Sequence, residues 1–233
     1  MHPSAVPRSE IARRIGALQA QLARKGLDAA LILQTADLFY FTGTIQQSHL
    51  WVPVQGEPLL LVRKDLARAR AESPLERIAA MGSPKEIPDL LAANGLSAPQ
   101  SLGLELDVLP VNLYLFYGRI FQGAALGDIS TDIRLLRAVK SDWEIGMIRQ
   151  AAKLADQLAA AVPELLREGM SEIELAGRVE ARARAMGHQG IVRMRMWGSE
   201  LFYGHLMAGP SGAVPSFLAS PTGGPGVGPA VAQ

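Results

Sequence analysis

In the first part of the chain, segments whose apolar residues recur at helical spacing alternate with short apolar runs that are typical of strands. A helix is predicted from Ser9, as its cap, to Gly26, because four apolar residues recur at helical spacing: Ile11, Ile15, Leu18 and Leu22. The run DAALILQ follows Gly26 and is typical of a short buried strand. The runs LWVPV and PLLLV flank QGE and predict a hairpin or two neighbouring strands. Proline cannot donate to a strand ladder, so Pro53 is expected at an edge or in an irregular position.

The same alternation continues as far as the run that follows Pro110. The predicted elements are, in order, the helix DLARARA, the strand RIAAM, the helix KEIPDLLAANG, the strand SLGLELD and the helix VNLYLFYGRIF. Such alternation indicates an α/β domain with a mainly or partly parallel sheet. Neither GxxxxGK[ST] nor GxGxxG occurs at a strand–helix junction, so a nucleotide-binding function loses its main support.

The pattern changes near residue 130, where two long helices are predicted. Each opens on a capping box, SDWE at Ser141 and SEIE at Ser171, and Pro163 is expected to kink the first helix or restart it. The run IVRMRMW then alternates like a half-buried strand, with Arg193 and Arg195 on one face. A solvated or ion-paired face is the favoured interpretation of these arginines, and a carboxylate contact near a site is the alternative. We therefore predict two domains, 1–130 and 131–233.

Composition narrows the function classes without selecting one. The chain has 233 residues, no cysteine, and 23 basic against 22 acidic residues. Disulfides, cysteine-ligated metals and a thiol nucleophile are therefore excluded. A nearly neutral balance gives no support for a nucleic-acid partner. Without a secretory signal or an apolar run of about 18 residues, we expect a soluble cytoplasmic protein with no membrane segment.

Three segments, in order along the chain, resemble one known family. The segment ISTDIRLLRAVKSDWEIGMIRQAAKLADQ resembles the domain junction of the creatinase/prolidase/Xaa-Pro aminopeptidase family, the pita-bread metallopeptidases. The matching residues are Arg137, Lys140, Ser141, Glu144, Ile145, Ile148, Arg149 and Ala151. The N-terminal run RIGALQAQLARKGLDAALILQTADLFYFTG and the later LGLELD are similar to the same family's first domain.

This resemblance implies a fold and a function. The fold is a creatinase-like N-terminal α/β domain, followed by the first part of an α+β pita-bread domain that ends in a Gly/Pro-rich segment. The parent function is a metal-dependent Xaa-Pro peptidase of the aminopeptidase P or prolidase type, a homodimer that hydrolyses peptide bonds next to proline. Two alternatives stay open: a non-catalytic oligomerisation or interaction module, and a creatinase-like or lyase-like member acting on a small molecule.

His205 is the one catalytic residue that the resemblance implies. In the family, a histidine that contacts substrate without binding metal precedes the first metal-binding aspartate by a few tens of residues. Two divalent ions (Mn, Co or Zn) are bound there by two Asp, one His and two Glu. This chain has no aspartate after Asp156, and its last glutamate is Glu200. We therefore expect a fragment that stops before the metal ligands, binds no metal and is inactive alone; a natural metal-free paralogue is the alternative.

The remaining candidates are expected to be structural. We assign no role to His49 and expect His188 at a helix end or on the surface. Glu172, Glu174 and Glu180 share one predicted helix and are expected to be solvated. The aromatic residues of the first domain are expected in its core: Phe39, Tyr40, Phe41, Trp51, Tyr114, Phe116 and Tyr117.

Overall fold

The computed structural model describes residues 6–190, 194–195, 206–209 and 213. The chain divides into two compact units. Unit 1 comprises Met1–Lys140 and Met194–Ser199, and unit 2 comprises Ser141–Arg193 and Glu200–Gln233. The chain thus passes from unit 1 to unit 2 after Lys140 and returns to unit 1 at Met194.

Unit 1 is built on a six-stranded sheet with the order β4-β3-β2-β1-β5-β6. The strands are β1 (Ala29–Ile32), β2 (Ser48–Pro53), β3 (Leu59–Val62), β4 (Ile78–Ala80), β5 (Ser101–Leu104) and β6 (Ala125–Asp128). The central β1–β2 and β2–β3 pairs are antiparallel. The β3–β4, β1–β5 and β5–β6 pairs are parallel. The predicted α/β domain with a partly parallel sheet is confirmed.

Helices connect the strands, and two of them were not predicted from the sequence. The helices of unit 1 are α1 (Arg8–Lys25), α2 (Thr35–Thr42), α3 (Leu66–Glu72), α4 (Ile87–Ala93), α5 (Val111–Ile120) and α6 (Ser130–Ala138). A 3₁₀ turn, Pro84–Glu86, leads into α4. The unpredicted helices are α2 and α6, and the short edge strand β6 was also missed.

Helix α1 supports the sheet through the apolar face that the sequence predicts. Ile11, Ile15, Leu18 and Leu22 are all buried, and each such side chain contributes roughly 1.5–3 kcal/mol on burial. Gly26 ends the helix at φ 65°, in the left-handed region that favours glycine. The predicted cap at Ser9 is wrong, because the helix begins at Arg8 after Pro7 and no side chain caps it.

Pro53 lies at the end of a strand and not at the edge of the sheet. It is the last residue of β2, which lies between β1 and β3, and it pairs opposite Ala29. At the end of the ladder its missing N–H disrupts little. Its carbonyl oxygen accepts a hydrogen bond from the Gln19 side chain at 2.9 Å, which further ties α1 to the sheet.

The predicted aromatic core is confirmed in part. Tyr40, Phe41, Trp51 and Tyr117 are buried, and the rings of Trp51 and Phe121 stack with centres 5.8 Å apart. Phe39 and Tyr114 contradict the prediction, since they are 43% and 37% exposed. Both lie on helices that bury one face and leave the other in contact with solvent.

Unit 2 contains two helices that pack against each other, α7 (Asp142–Leu165) and α8 (Glu172–Ala185). The capping box at Ser141 is complete, whereas at Ser171 only the bond from the Glu174 amide to the serine hydroxyl is found. Helix α7 runs through Pro163 without restarting. Most of the predicted strand IVRMRMW lies outside the described residues, and Met194 and Arg195 are not in a strand.

Unit 1 buries a histidine to which the sequence assigned no role. His49, in β2, is 7% exposed, and its Nε2 lies 2.6 Å from the Tyr117 hydroxyl on α5. Its Nδ1 has no hydrogen-bond partner among the described residues. Burial, followed by the charge of Arg63, lowers the pKa of His49 to about 4. His49 is therefore neutral at physiological pH.

This buried imidazole makes stability depend on pH in a defined window. Because the folded pKa lies below the ordinary value of about 6.5, protonation favours the unfolded chain as the pH falls from about 6.5 to 4. Relative to His49→Gln, the wild type should lose about 2 kcal/mol of unfolding free energy between pH 7 and pH 5. Urea unfolding at both pH values measures this difference. Identical pH dependence in the two proteins would contradict the buried neutral state.

Candidate functional site

Polar side chains gather where the parallel strands β1, β5 and β6 end. The carboxyl ends of adjacent parallel strands meet at one edge of a sheet, where α/β proteins commonly bind ligands. At this edge lie Gln34 and Asp37 after β1, Glu105 and Asp107 after β5, and Asp128 and Ser130 at the end of β6. Arg137 and Arg195 contact this group. We call Asp37, Glu105, Asp107, Arg137 and Arg195 the carboxylate site.

Asp37 is the centre of the carboxylate site. It lies in the first turn of α2 and is fully buried. Its Oδ1 accepts a hydrogen bond from Arg137 Nη1, and its Oδ2 accepts one from Arg195 Nε at 2.6 Å. The N-terminal end of a helix also favours a negative charge. Asp37 therefore carries its charge inside the protein between two guanidinium groups.

Arg195 binds two carboxylates at once. Its Nε donates to Asp37, and its Nη1 donates to Asp107 Oδ2. Its backbone carbonyl accepts from the Gln34 side-chain amide at 3.2 Å. The Arg195 side chain is only 9% exposed, so it is not solvated. It is ion-paired, which the favoured interpretation also allowed, and its partners are the carboxylates Asp37 and Asp107.

Charge pairing keeps both partners ionised. Burial alone would lower the pKa of Arg195, but the hydrogen bond to Asp107 and the charge of Asp37 raise it above its usual value. Burial alone would raise the pKa of Asp107, but hydrogen bonds from Arg195 and Ser130 lower it overall. Each charge is thus stabilised by the other.

Glu105 behaves differently from the two aspartates. It is 1% exposed, and its Oε2 accepts from the backbone amides of Leu33 and Gln34 at 2.7 and 2.9 Å. Its Oε1 has no partner among the described hydrogen bonds. Burial, then the neighbouring Asp37, raises the pKa of Glu105 well above the usual range. Glu105 therefore keeps its proton to higher pH than an ordinary glutamate.

Protonation of Glu105 balances the charges of the site. Two negative aspartates then face two positive arginines, with one neutral carboxylic acid between them. Ionisation of Glu105 would add a negative charge at a buried position beside Asp37, and an uncompensated charge at such a position costs several kcal/mol. The arrangement is suited to holding guanidinium groups, since carboxylates bind their planar fork.

The carboxylate site does not fit the two metal ions that the resemblance implies. A divalent cation beside Arg137 and Arg195 would meet two positive charges. Among the described residues, no group of three or more His, Asp or Glu could hold a metal ion. Glu172 and Glu174 in α8 instead bind the Ala208 amide and Arg178.

A surface groove of about 460 Å³ lies at the opposite edge of the sheet, beside Trp51 and Pro99. Its one carboxylate, Asp28, accepts hydrogen bonds from the backbone amides of Gln100 and Ser101 at 2.7 and 2.9 Å. These bonds lower the pKa of Asp28. Asp28 therefore joins β1 to the start of β5, and the groove offers no further charged group.

The structure describes some of the candidate residues from the sequence analysis and not others. His205 lies outside the described residues, so its place relative to the carboxylate site stays a prediction. His188 lies at the end of α8, where its Nδ1 accepts from the Gly190 amide at 3.0 Å. Asp37, Glu105 and Asp107 were missed, although each is an acidic residue shortly after a predicted or actual buried strand, and that signal could have found them.

No helix of the described chain is long and apolar enough to cross a membrane.

Two family models match the chain in sequence order. The model of the creatinase/prolidase N-terminal domain matches residues 14–139, and the model of metallopeptidase family M24 matches residues 146–226. Similar curated proteins include an uncharacterized hydrolase/peptidase of Sinorhizobium fredii, 26% identical over 77% of this chain and 51% of its own length. The Xaa-Pro dipeptidase of Pyrococcus horikoshii is 27% identical over 67% of this chain and 43% of its own length.

Solved structures share the fold. The Xaa-Pro dipeptidase from Bacillus anthracis superposes with a TM-score of 0.69 at 21% identity, over 77% of this chain and 50% of the other. The prolidase from Thermococcus sibiricus superposes with a TM-score of 0.63 at 25% identity, over 79% of this chain and 52% of the other. The chain spans about half the length of these relatives. Its fold is a creatinase-type N-terminal domain followed by the start of an M24 domain, and because the first model alone matches more than half of the sequence, the chain belongs to the creatinase/prolidase family.

Proposed function

We propose that this chain is the N-terminal domain and the first part of the catalytic domain of a metal-dependent Xaa-Pro peptidase. The reaction is hydrolysis of a peptide bond next to proline. The substrate is a peptide, and the site requires two divalent metal ions. The complete enzyme is expected to be a homodimer.

One observation carries this proposal: both halves of the chain match the peptidase family in the family's own order. The match to family M24 covers residues 146–226 and therefore includes His205. A dipeptidase of the same specificity class is among the similar proteins. A creatinase-like or lyase-like reaction has no comparable support among these relatives.

The metal ligands are the part of the proposal for which the described residues offer no cluster of His, Asp or Glu. A dinuclear site takes several carboxylates and imidazoles as hard ligands. After the end of α8, the sequence offers one carboxylate, Glu200, and two imidazoles, His188 and His205. We propose that the remaining ligands belong to a part of the parent enzyme that this sequence does not contain.

The coding sequence beyond Gln233 tests the proposal. A frame that continues with two Asp, one His and two Glu in family order, and whose product cleaves Xaa-Pro peptides, supports it. A stop codon directly after Gln233 would favour the interaction module, in which unit 1 forms subunit contacts without catalysis.

The purified 233-residue chain should show no hydrolysis of Xaa-Pro peptides, even with Mn²⁺ or Co²⁺ added, because it lacks the carboxylates of a dinuclear site. Peptide hydrolysis assays and calorimetric metal titrations check both parts of this expectation. Stoichiometric, high-affinity binding of a divalent ion, or cleavage above the buffer rate, would show that the chain completes a site by itself.

In an enzyme that contains the whole M24 domain, His205→Ala should lower turnover on the order of 10²–10³-fold and leave metal content unchanged. The reason is that an imidazole can donate a hydrogen bond to a developing oxyanion or move a proton near neutral pH. Turnover per folded molecule and bound metal per chain are the two measurements.

His188→Ala is the matched control, since His188 binds the Gly190 amide at the end of α8, and its loss should leave turnover unchanged. Full turnover in His205→Ala would remove His205 from the site. Loss of metal in that variant would make His205 a ligand, contrary to the proposed role.

A further inference from the structure

The contacts of Arg195 come from residues that are held in place without it. Asp37 is fixed in the first turn of α2 and is bound on its other oxygen by Arg137. The Asp107 amide donates to the Ser130 hydroxyl at 3.1 Å. The Gln34 side-chain oxygen accepts from the amides at the start of α2, which leaves its NH₂ group to bind the Arg195 carbonyl.

We propose that the carboxyl edge of β1 and β5 is a binding site for a guanidinium group, which this chain fills with its own Arg195. The ligand class follows from the shape of the contact. Two carboxylates on different elements bind two different nitrogens of one planar group, Nε and Nη1. A guanidinium presents such a fork in a fixed geometry, whereas an ammonium is a compact point charge.

The charges of the site favour the same ligand. Without Arg195, the fully buried Asp37 keeps Arg137 as its only ion-pair partner among the described residues. Asp107 loses its hydrogen bond from Arg195 and keeps the charge of Arg134 nearby. Removing one partner of a buried ion pair is strongly destabilising, because the remaining charge has lost its compensation. The empty site would therefore bind a small cation, and the geometry selects a guanidinium among cations.

The site holds the chain where it returns to unit 1. The chain leaves unit 1 after Lys140 and comes back at Met194, next to the arginine whose side chain is nine-tenths buried. One consequence rests on the proposed function: Arg195 also fixes the chain ten residues before His205.

Chemical rescue of Arg195→Ala tests the guanidinium site in the full 233-residue chain without any activity assay. The substitution should lower the thermal midpoint on the order of 10 °C. Methylguanidinium chloride at about 20 mM should then raise that midpoint by several degrees, because a ligand that binds only the folded state stabilises it. Methylammonium chloride at the same concentration should not, and Arg195→Lys should stay below the wild type.

Three controls separate binding from a general salt effect. Wild type should not respond to methylguanidinium, because its site is filled. Arg8→Ala, which removes an exposed ion pair with Glu76 in the same unit, should not respond either. The double variant Asp37→Asn/Arg195→Ala should lose the rescue, because the carboxylate that binds Nε is gone.

Equal rescue by both cations, a response of the wild type, or full stability of Arg195→Lys would overturn the proposal. Should Arg195→Ala not fold, its refolding yield with each cation replaces the midpoint. A yield raised by methylguanidinium alone supports the site, and equal yields reject it. None of these outcomes depends on peptidase activity, so the site and the proposed function can fail separately.

Discussion

Charge balance around one buried carboxylate organises the functional edge of unit 1. Asp37 is fully buried and is compensated by Arg137 and Arg195 from distant parts of the chain. An uncompensated charge at this depth would cost several kcal/mol. The ends of β1 and β5, the start of α2 and the returning segment at Met194 must therefore adopt positions that satisfy this group together.

Asp37 and the nearby Tyr40 connect three helices of unit 1. The Arg14 side chain of α1 donates to the Tyr40 carbonyl at 2.7 Å, and its guanidinium carbon lies 4.1 Å from the centre of the Tyr40 ring. Arg137 of α6 approaches the same ring at 5.6 Å while it binds Asp37. Cation–π contacts of this kind contribute about 0.5–2 kcal/mol each. Helices α1, α2 and α6 are thereby joined through Tyr40 and Asp37.

The sequence predicts the sheet better than it predicts this site, and the reason is the range of the interactions. Strands β1 and β3 are continuous apolar runs, and β2 and β5 are mostly apolar, so the local sequence pattern is enough to find them. Helix α2 is short, and Gln34 caps it in place of the usual Ser, Thr, Asp or Asn. Strand β6 reads ALGD, which contains residues that are rare in strands.

The carboxylate site depends on pairs that are far apart in the sequence. Asp37 and Arg195 are 158 positions apart, and no local sequence pattern predicts a contact between them. The alternation in IVRMRMW did place Arg195 among the candidates for carboxylate contact, but it could not name the partner. The family was predictable because its motifs are spread over the whole chain, whereas the role of His205 still rests on that resemblance alone.

The protonation state of Glu105 is the most direct test of this account, because the charges of the site balance only if Glu105 keeps its proton. A raised pKa in the folded state means that stability is fully present below the usual glutamate value and is lost as the pH rises toward the folded pKa. The measurement is the unfolding free energy of the wild type minus that of Glu105→Gln, from pH 4.5 to 7.5. The slope from His49 is common to both proteins and cancels. We predict that this difference falls as the pH rises, since the amide mimics the neutral acid; a difference that stays flat or rises would show that Glu105 is ionised in the folded protein and would contradict the account.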